Sequence, residues 1–278
     1  MGHVIAVINQ KGGVGKTTTV VNLGAALTAK AYRVMLIDLD PLGNLTGWLS
    51  ESDSNLMLGA GDLLCGEKSI DNIRQRSGRF GMDFLPSGEK LRNILNKKYI
   101  DSYALQQRLI SQLDSYHFIL IDCPPSSDVL VRNALLASNS IIIPIQTETL
   151  PLKSGIRFLQ WLEEFKIEFE SKLNILGILP CMFDGRTRLS NQILEAMRGS
   201  ENLGPMLFNT VIRKSARLAE TPGAGKSIFE TASTSNVAND YISLVWEVIE
   251  RTRTDFPPMT LGDGNGSKQQ ITNSVAGE

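Results

Sequence analysis

The chain has 278 residues, of which 42% are hydrophobic and 21% are charged, and its formal net charge is −1. This length suffices for one domain with a substantial core. The balanced charge excludes binding to nucleic acid or membranes through overall charge, so any such site has to be a local patch. The cysteines form no Cys-x-x-Cys pair, which argues against a zinc ribbon or a redox dithiol. Without a secretory signal or a long apolar run, a cytoplasmic protein with reduced thiols is expected.

Apolar segments rich in β-branched residues alternate with helical patterns along the chain. The apolar segments predict strands at His3–Asn9, Arg33–Asp38, Met82–Pro86, Phe118–Asp122, Ser140–Gln146 and Asn174–Met182. The amphipathic patterns predict helices at Thr17–Ala31, Lys90–Asn96, Ser102–Leu113, Asp128–Ala137, Leu152–Glu170, Leu189–Arg198 and Val237–Arg251. Because continuously apolar strands alternate with helices, we predict an α/β fold with a mostly parallel, twisted sheet and helices on both faces.

Composition divides the chain into two parts. Residues 1–256 carry all of the periodic segments and are predicted to form a single domain. Residues 257–278 are polar and rich in glycine, a composition that predicts a disordered C-terminal tail.

A glycine-rich loop, Gln-Lys-Gly-Gly-Val-Gly-Lys-Thr-Thr, joins the first predicted strand to the first helix. Gln10 stands where the phosphate-loop pattern GxxxxGK[ST] has its first glycine, so the strict pattern fails at one position. The chemistry is retained, because glycines let backbone N–H groups turn towards phosphate oxygens at a helix N-terminus. We therefore expect nucleotide contacts from Gly12, Gly13, Val14, Gly15, Lys16, Thr17 and Thr18.

Acidic residues follow two of the predicted strands. Asp122 ends the strand Phe118–Asp122, and Asp38 and Asp40 lie at the end of the strand Arg33–Asp38. Since parallel strands end at a common edge, these carboxylates should converge beside the phosphate loop. With the Thr17 hydroxyl as a ligand, Asp122 and Asp38 are predicted to support a Mg²⁺ ion that accompanies ATP.

The motifs KGGVGKTT, LIDLDPLGN and ILIDCPPS resemble the deviant Walker A, the following acidic motif and the Walker B of the ParA/MinD ATPases. The stretches MFDGRTRLS and RLAETPGAGKSIFE are similar to the ParA (Soj) branch, and the resemblance covers about residues 1–250. It implies a single P-loop NTPase domain and a slow, Mg²⁺-dependent ATP hydrolase that a partner protein stimulates.

The resemblance also implies roles for single residues. Lys11 matches the signature lysine that reaches the nucleotide of the partner subunit in an ATP-dependent homodimer, and Asp40 matches the aspartate that orients the attacking water. With Lys16, these two form the expected catalytic set. The residues that match the adenine site of the family are Met182, Asp184 and Pro222.

Two positions depart from the family pattern. Leu42 stands where the family usually has a glutamine, and a leucine cannot replace the hydrogen bonds of an amide. Arg213 stands where the family usually has a proline, so the base pocket is expected to differ in shape.

Relatives of the ParA type act on DNA, which implies non-specific binding of the dimer to double-stranded DNA at the nucleoid and a stimulating protein of the ParB type. The basic residues available for phosphate contacts are Arg186, Arg188, Arg213, Lys214 and Arg217. The alternative is a MinD-like or flagellar-number-type ATPase that acts at a membrane or on a protein assembly. The tail holds a single basic residue, Lys268, and shows no pattern of an amphipathic membrane anchor. An adaptor ATPase for cellulose secretion also stays open.

Overall fold

The computed structural model describes residues 2–50, 57–94, 100–125, 128–147 and 151–252. In these residues the strands form one sheet in the order β3-β4-β2-β5-β1-β6-β7-β8. The strands are β1 His3–Val7, β2 Val34–Asp38, β3 Gln75–Ser77, β4 Met82–Leu85, β5 Phe118–Asp122, β6 Ser140–Gln146, β7 Asn174–Phe183 and β8 Ile212–Arg213. Neighbouring strands pair in parallel except β3 and β4, which are antiparallel.

Helices connect the strands and cover the sheet. They are α1 Lys16–Ala29, α2 Asn44–Leu49, α3 Ala60–Leu64, α4 Ile70–Ile73, α5 Glu89–Arg92, α6 Ala104–Leu109, α7 Asp128–Ala137, α8 Pro151–Glu168, α9 Arg188–Arg198, α10 Ala216–Glu220, α11 Ile228–Ala232 and α12 Asn236–Thr252. Short 3₁₀ turns lie at Ile110–Gln112 and Gly204–Met206. Within the described ranges, no helix combines the length and apolar character that crossing a bilayer requires.

The sheet separates two apolar cores, because successive side chains of a strand point to opposite faces. In β1, Val4 and Ala6 belong to the core that α3–α9 cover, whereas Ile5 and Val7 belong to the core that α1, α2 and α10–α12 cover. Every residue of β1, β2 and β5 is buried. This burial on both faces explains why these strands read as unbroken apolar segments in the sequence.

The predicted fold class is confirmed, and each of the six predicted strands is present. The first strand is shorter than predicted because it ends at Val7, before the glycine-rich loop. Two short edge strands, β3 and β8, were missed, since three residues of Gln-Arg-Ser and two of Ile-Arg carry no apolar pattern.

Several predicted helices differ in extent. The helix predicted at Ser102–Leu113 is shorter and continues as a 3₁₀ turn. The helix predicted at Lys90–Asn96 begins at Glu89 and ends at Arg92, and residues 95–99 lie outside the described residues. The tail predicted at 257–278 also lies outside them, so the domain boundary at residue 256 stays a prediction.

Parallel pairing aligns the ends of the central strands. Asp38, at the end of β2, is the register partner of Asp122, at the end of β5, and Val7 of β1 is the partner of Asp122 on the other side. The sheet therefore brings the loop after β1 and the two aspartates to one edge.

Leu120 of β5 is fully buried in the core below α1 and α12. Leu120→Ala should lower the free energy of unfolding by about 2–5 kcal/mol, because it removes buried methyl groups and leaves a cavity. Urea unfolding followed by circular dichroism measures the change. Ile167→Ala is the control, since Ile167 is 78% exposed and its truncation should cost less than about 0.5 kcal/mol. Equal losses in the two variants would contradict the assignment of Leu120 to the core.

Candidate functional site: a phosphate loop and its acidic edge

The glycine-rich loop runs from the end of β1 to the start of α1. Gly13 has a φ of 71° and Gly15, the N-cap of α1, has a φ of 97°. Side-chain-bearing residues rarely adopt this left-handed conformation, so the loop path needs glycine at both positions. In the described part of the chain, the N–H groups of Gly12, Gly13 and Val14 donate to no protein acceptor. Together with the N-terminus of α1, they form a site suited to an anion.

Lys16 is the first residue of α1, and only 7% of it is exposed. Its Nζ donates to the backbone carbonyl of Lys11 at 3.2 Å. Burial lowers the pKa of Lys16, and the nearby carboxylates of Asp122 and Asp40 oppose that shift. The buried Lys16 amine thus lies close to the carboxylates of the acidic edge, where a lysine that binds phosphate oxygens is expected.

The contact between Thr17 and Asp122 joins the loop to the end of β5. The Thr17 hydroxyl donates to Oδ2 of Asp122 at 2.6 Å. The second carboxylate oxygen, Oδ1, is buried and has no hydrogen-bond partner among the described residues. Burial raises the pKa of Asp122 well above its usual range, and the neighbouring Asp38 raises it further. A buried carboxylate oxygen of this kind fits a site for a hydrated cation.

Asp38 is fully buried, and both of its oxygens accept hydrogen bonds from the chain that follows β2. Oδ1 accepts from the Asp40 N–H at 3.0 Å, and Oδ2 accepts from the Thr46 N–H at 2.8 Å and the Thr46 hydroxyl at 2.6 Å. Burial raises the pKa of Asp38 to about 6, against the opposing effect of the Thr46 bonds. Through these hydrogen bonds, Asp38 stabilises the conformation of the segment after β2. A role of Asp38 towards the metal ion stays a prediction.

Asp40 is 6% exposed, and its Oδ1 accepts the Leu42 N–H at 3.0 Å. That bond uses one oxygen of the carboxylate. The Leu42 side chain is 72% exposed, so the residue that departs from the family pattern lies on the surface close to Asp40.

A cavity of about 310 Å³ opens beside the start of α1. Its size suits a small organic group such as a purine base. The lining residues come from the loop and α1, from β7 and β8, and from α10 and α12: Gly15, Thr18, Thr19, Cys181, Met182, Ile212, Arg213, Lys214, Ser215, Ala216, Leu218, Ala219 and Tyr241. The structure thus joins the phosphate loop to a largely apolar cavity.

Of the three residues expected at the base, one lines this cavity. Met182 does so from a bulged position of β7 with a left-handed φ of 56°. Asp184 instead binds the guanidinium of Arg186 at 2.9 Å through each of two nitrogens, and this pairing lowers the pKa of Asp184 to about 2. Pro222 is exposed and does not line the cavity. Nucleotide contacts of Asp184 and Pro222 stay predictions.

Among the described residues, ion pairs are seen for Arg186 and Arg213, both proposed for DNA. Arg186 pairs with Asp184, and Arg213 pairs with Asp240 of α12. Asp240 accepts from the Arg213 N–H at 3.1 Å and from its guanidinium at 2.9 and 2.8 Å. Since proline has no N–H, the family's usual residue could not make the first of these bonds. The side chains of Arg188, Lys214 and Arg217 are exposed.

Sequence reasoning missed two polar residues that contact the loop. The Gln146 side chain at the end of β6 contacts both Lys11 and Gly13. The Asn9 side chain accepts the Lys11 N–H at 2.9 Å. The signal for Gln146 was available, because a polar residue that ends an apolar strand at this edge is the same pattern that identified Asp122.

Comparisons with known proteins agree with this geometry. Residues 2–175 match the family model of an AAA domain. The chain is 38% identical over 249 residues to the chromosome-partitioning ATPase Soj of Thermus thermophilus, a match that covers 90% of this chain and 96% of the relative. It is 34% identical over 256 residues to the chromosome partitioning protein ParA of Caulobacter vibrioides, with 90% and 95% covered.

Among solved structures, cobyrinic acid a,c-diamide synthase from Mycobacterium smegmatis with bound ADP and magnesium superposes with a TM-score of 0.77 at 30% identity, covering 92% of this chain and 96% of that one. The sheet order, the glycine loop and the Thr17–Asp122 contact therefore occur in a chain whose sequence matches partitioning ATPases over nearly its whole described length. The chain belongs to the ParA/MinD superfamily of P-loop ATPases, in its ParA (Soj) branch.

Proposed function

We propose that this protein is a ParA-type ATPase that dimerises on ATP, binds DNA without sequence preference and hydrolyses ATP when a ParB-type or analogous protein stimulates it. The cycle would segregate a plasmid or chromosome, or position a cellular cargo, at the nucleoid in the cytoplasm. The Thr17–Asp122 contact, beside loop N–H groups that donate to no acceptor among the described residues, is the observation that carries the proposal.

The residues of the acidic edge fit a Mg²⁺ ion that accompanies ATP. Thr17 would supply a hydroxyl oxygen, and Oδ1 of Asp122, which has no partner among the described residues, would accept from a water of the ion. Among the described residues, no cluster of three or more His, Cys, Asp or Glu side chains could hold a metal by itself. Few protein ligands are typical of magnesium sites that share the ion with phosphates. When bound, the ion offsets negative charge on the phosphate oxygens.

The loop and its neighbours supply the remaining groups for hydrolysis. The N–H groups of Gly12, Gly13 and Val14 would bind phosphate oxygens, and the buried Lys16 amine would stabilise charge that develops on them. Asp40 would orient a water molecule for in-line attack on the γ-phosphate, with its second oxygen free of the Leu42 N–H bond. The cavity beside Thr18 and Met182 would receive the adenine.

Lys11 would act in the partner subunit. It lies in the exposed part of the loop, where its Nζ donates to Oε1 of Gln146 at 3.1 Å. An exposed bond of this kind contributes little stability, so the lysine can exchange it for a phosphate of the partner's nucleotide. A second cation at the γ-phosphate acts as an arginine finger does and makes dimerisation depend on ATP.

Lys11→Ala should abolish the ATP-dependent dimer while the single subunit still binds ADP. Light scattering after size-exclusion chromatography with ATP and Mg²⁺ measures the dimer, and calorimetric titration measures ADP binding. Lys172→Ala is the matched control, because Lys172 is also an exposed lysine but lies at the opposite end of the sheet, beside the start of β7. A Lys11→Ala protein that still dimerises with ATP would refute the role in trans.

Asp40→Asn should reduce ATP turnover by about 100-fold or more and accumulate the ATP-bound dimer, because an amide cannot orient or activate the water as a carboxylate does. The variant keeps the side-chain oxygen that accepts the Leu42 N–H, so the loop conformation is preserved. Phosphate release and chromatography of the ATP-bound protein are the readouts. Asp40→Ala should behave in the same way, and normal turnover in both variants would remove Asp40 from the mechanism.

In the presence of ATP, the triple variant Arg188→Ala, Lys214→Ala and Arg217→Ala should bind duplex DNA more weakly than the wild type does. Its affinity should also depend less steeply on salt, because each substitution removes one phosphate contact. Fluorescence anisotropy at several salt concentrations measures both effects. Arg186→Ala serves as control, since its guanidinium is paired with Asp184. If the wild type binds anionic vesicles with ATP and does not bind DNA, the DNA proposal fails and the MinD-like alternative is favoured.

A further inference from the structure

Gln146 lies across the phosphate loop from the end of β6. Its Oε1 accepts from Nζ of Lys11 at 3.1 Å, and its Nε2 donates to the backbone carbonyl of Gly13 at 2.8 Å. Nε2 also lies 3.2 Å from the sulfur of Met182. Gln146 ends β6 and is the register partner of Cys181, so pairing with β7 holds its backbone. Gln146 is not among the residues inferred from the family motifs.

The bond to Gly13 constrains the following N–H. A peptide unit is planar and trans, so the carbonyl of Gly13 and the N–H of Val14 point in opposite directions. By holding that carbonyl, Gln146 turns the Val14 N–H to the other side of the peptide, where it has no protein acceptor in the described part of the chain. This N–H is one of those that the anion site requires.

Glycine makes such a constraint necessary. Gly13 and Gly15 adopt left-handed conformations. Because glycine has no side chain, the peptide units on either side of each residue can rotate easily. Without an external contact, the Gly13–Val14 peptide could turn its carbonyl towards the phosphates. Ordering it at the moment of binding would cost conformational entropy.

A second contact from β6 supports the start of the loop. Nδ2 of Asn9 donates to the carbonyl of Pro144 at 2.7 Å, and Oδ1 of Asn9 accepts the Lys11 N–H at 2.9 Å. Pro144 and Gln146 are two residues apart in β6, so one strand end holds the loop on both sides of Gly12. The loop is therefore fixed by the neighbouring strand as well as by its own sequence.

We propose that Gln146 is a positioning residue that orients the Val14 N–H towards the phosphates of a bound nucleoside diphosphate or triphosphate. It acts through the Gly13 carbonyl and does not touch the nucleotide. The inference rests on the proposed nucleotide-binding function of the same loop. It assigns to β6 a part in phosphate recognition that is separate from the contact of Gln146 with Lys11.

Gln146→Met tests this role, because methionine has nearly the same length and cannot donate to the carbonyl. With Mg²⁺ and ADP as the probe, the affinity of the full chain should fall about fivefold to tenfold, as expected for one lost hydrogen bond. The melting temperature without nucleotide should stay within about 2 °C of that of the wild type, because Gln146 is only partly buried. In NMR spectra, the shift of the Val14 amide proton on ADP binding should be reduced.

Gln106→Met is the matched control. Nε2 of Gln106 donates to the backbone carbonyl of Leu136 at 2.7 Å, and this bond lies away from the phosphate loop. Gln106→Met removes the same type of bond, from a glutamine to a main-chain carbonyl. It should leave the affinity for ADP within about twofold of the wild-type value. A similar loss of affinity in both variants would assign the effect to general destabilisation and overturn the proposal.

Gln146→Glu provides a second variant. It keeps an acceptor for Lys11 but loses the donor to Gly13, so ADP affinity should fall at least as far as in Gln146→Met. Wild-type affinity and an unchanged Val14 amide shift in either variant would overturn the role of Gln146. If the wild-type chain itself does not bind ADP, the proposed function fails, and this inference fails with it.

Discussion

The common edge at which β1, β2, β5 and β6 end is the constraint on which the site depends. Parallel pairing fixes the register, so Asp38 stands beside Asp122 and the loop after β1 meets both. Burial on both faces of the sheet holds this register, because a slip by one residue would exchange the two sets of core side chains. The geometry of the site is thus maintained by apolar packing well away from it.

This packing also explains which parts of the molecule the sequence predicts. The central strands are buried on both faces, and their unbroken apolar segments are easy to recognise. Lys16 and Thr17 follow the glycine loop after β1, and Asp122 ends β5, so a parallel sheet predicts that they lie close together. The edge strands β3 and β8 are three and two residues long, which is too short for a comparable pattern to be recognised.

The cavity beside α1 was harder to predict, for a different physical reason. Its wall combines Thr18 of α1, Met182 of β7 and Tyr241 of α12, which only the tertiary fold brings together. The motif around Asp184 did not predict its ion pair, in which the exposed Arg186 two residues later binds its carboxylate. Gln146 could have been found as Asp122 was, because both are polar residues that end an apolar strand. The role proposed for Gln146 depends on the direction of the Gly13 carbonyl, which no sequence pattern predicts.

Arg213 connects the cavity to the end of the described chain. Its main-chain N–H and its guanidinium both bind Asp240, so this ion pair connects the cavity wall to α12. Position 213 thus connects the cavity wall to the packing of α12 on α1. Loss of either side chain would leave the other charge without this partner, so β8 and α12 depend on each other for charge balance although 27 positions separate Arg213 from Asp240.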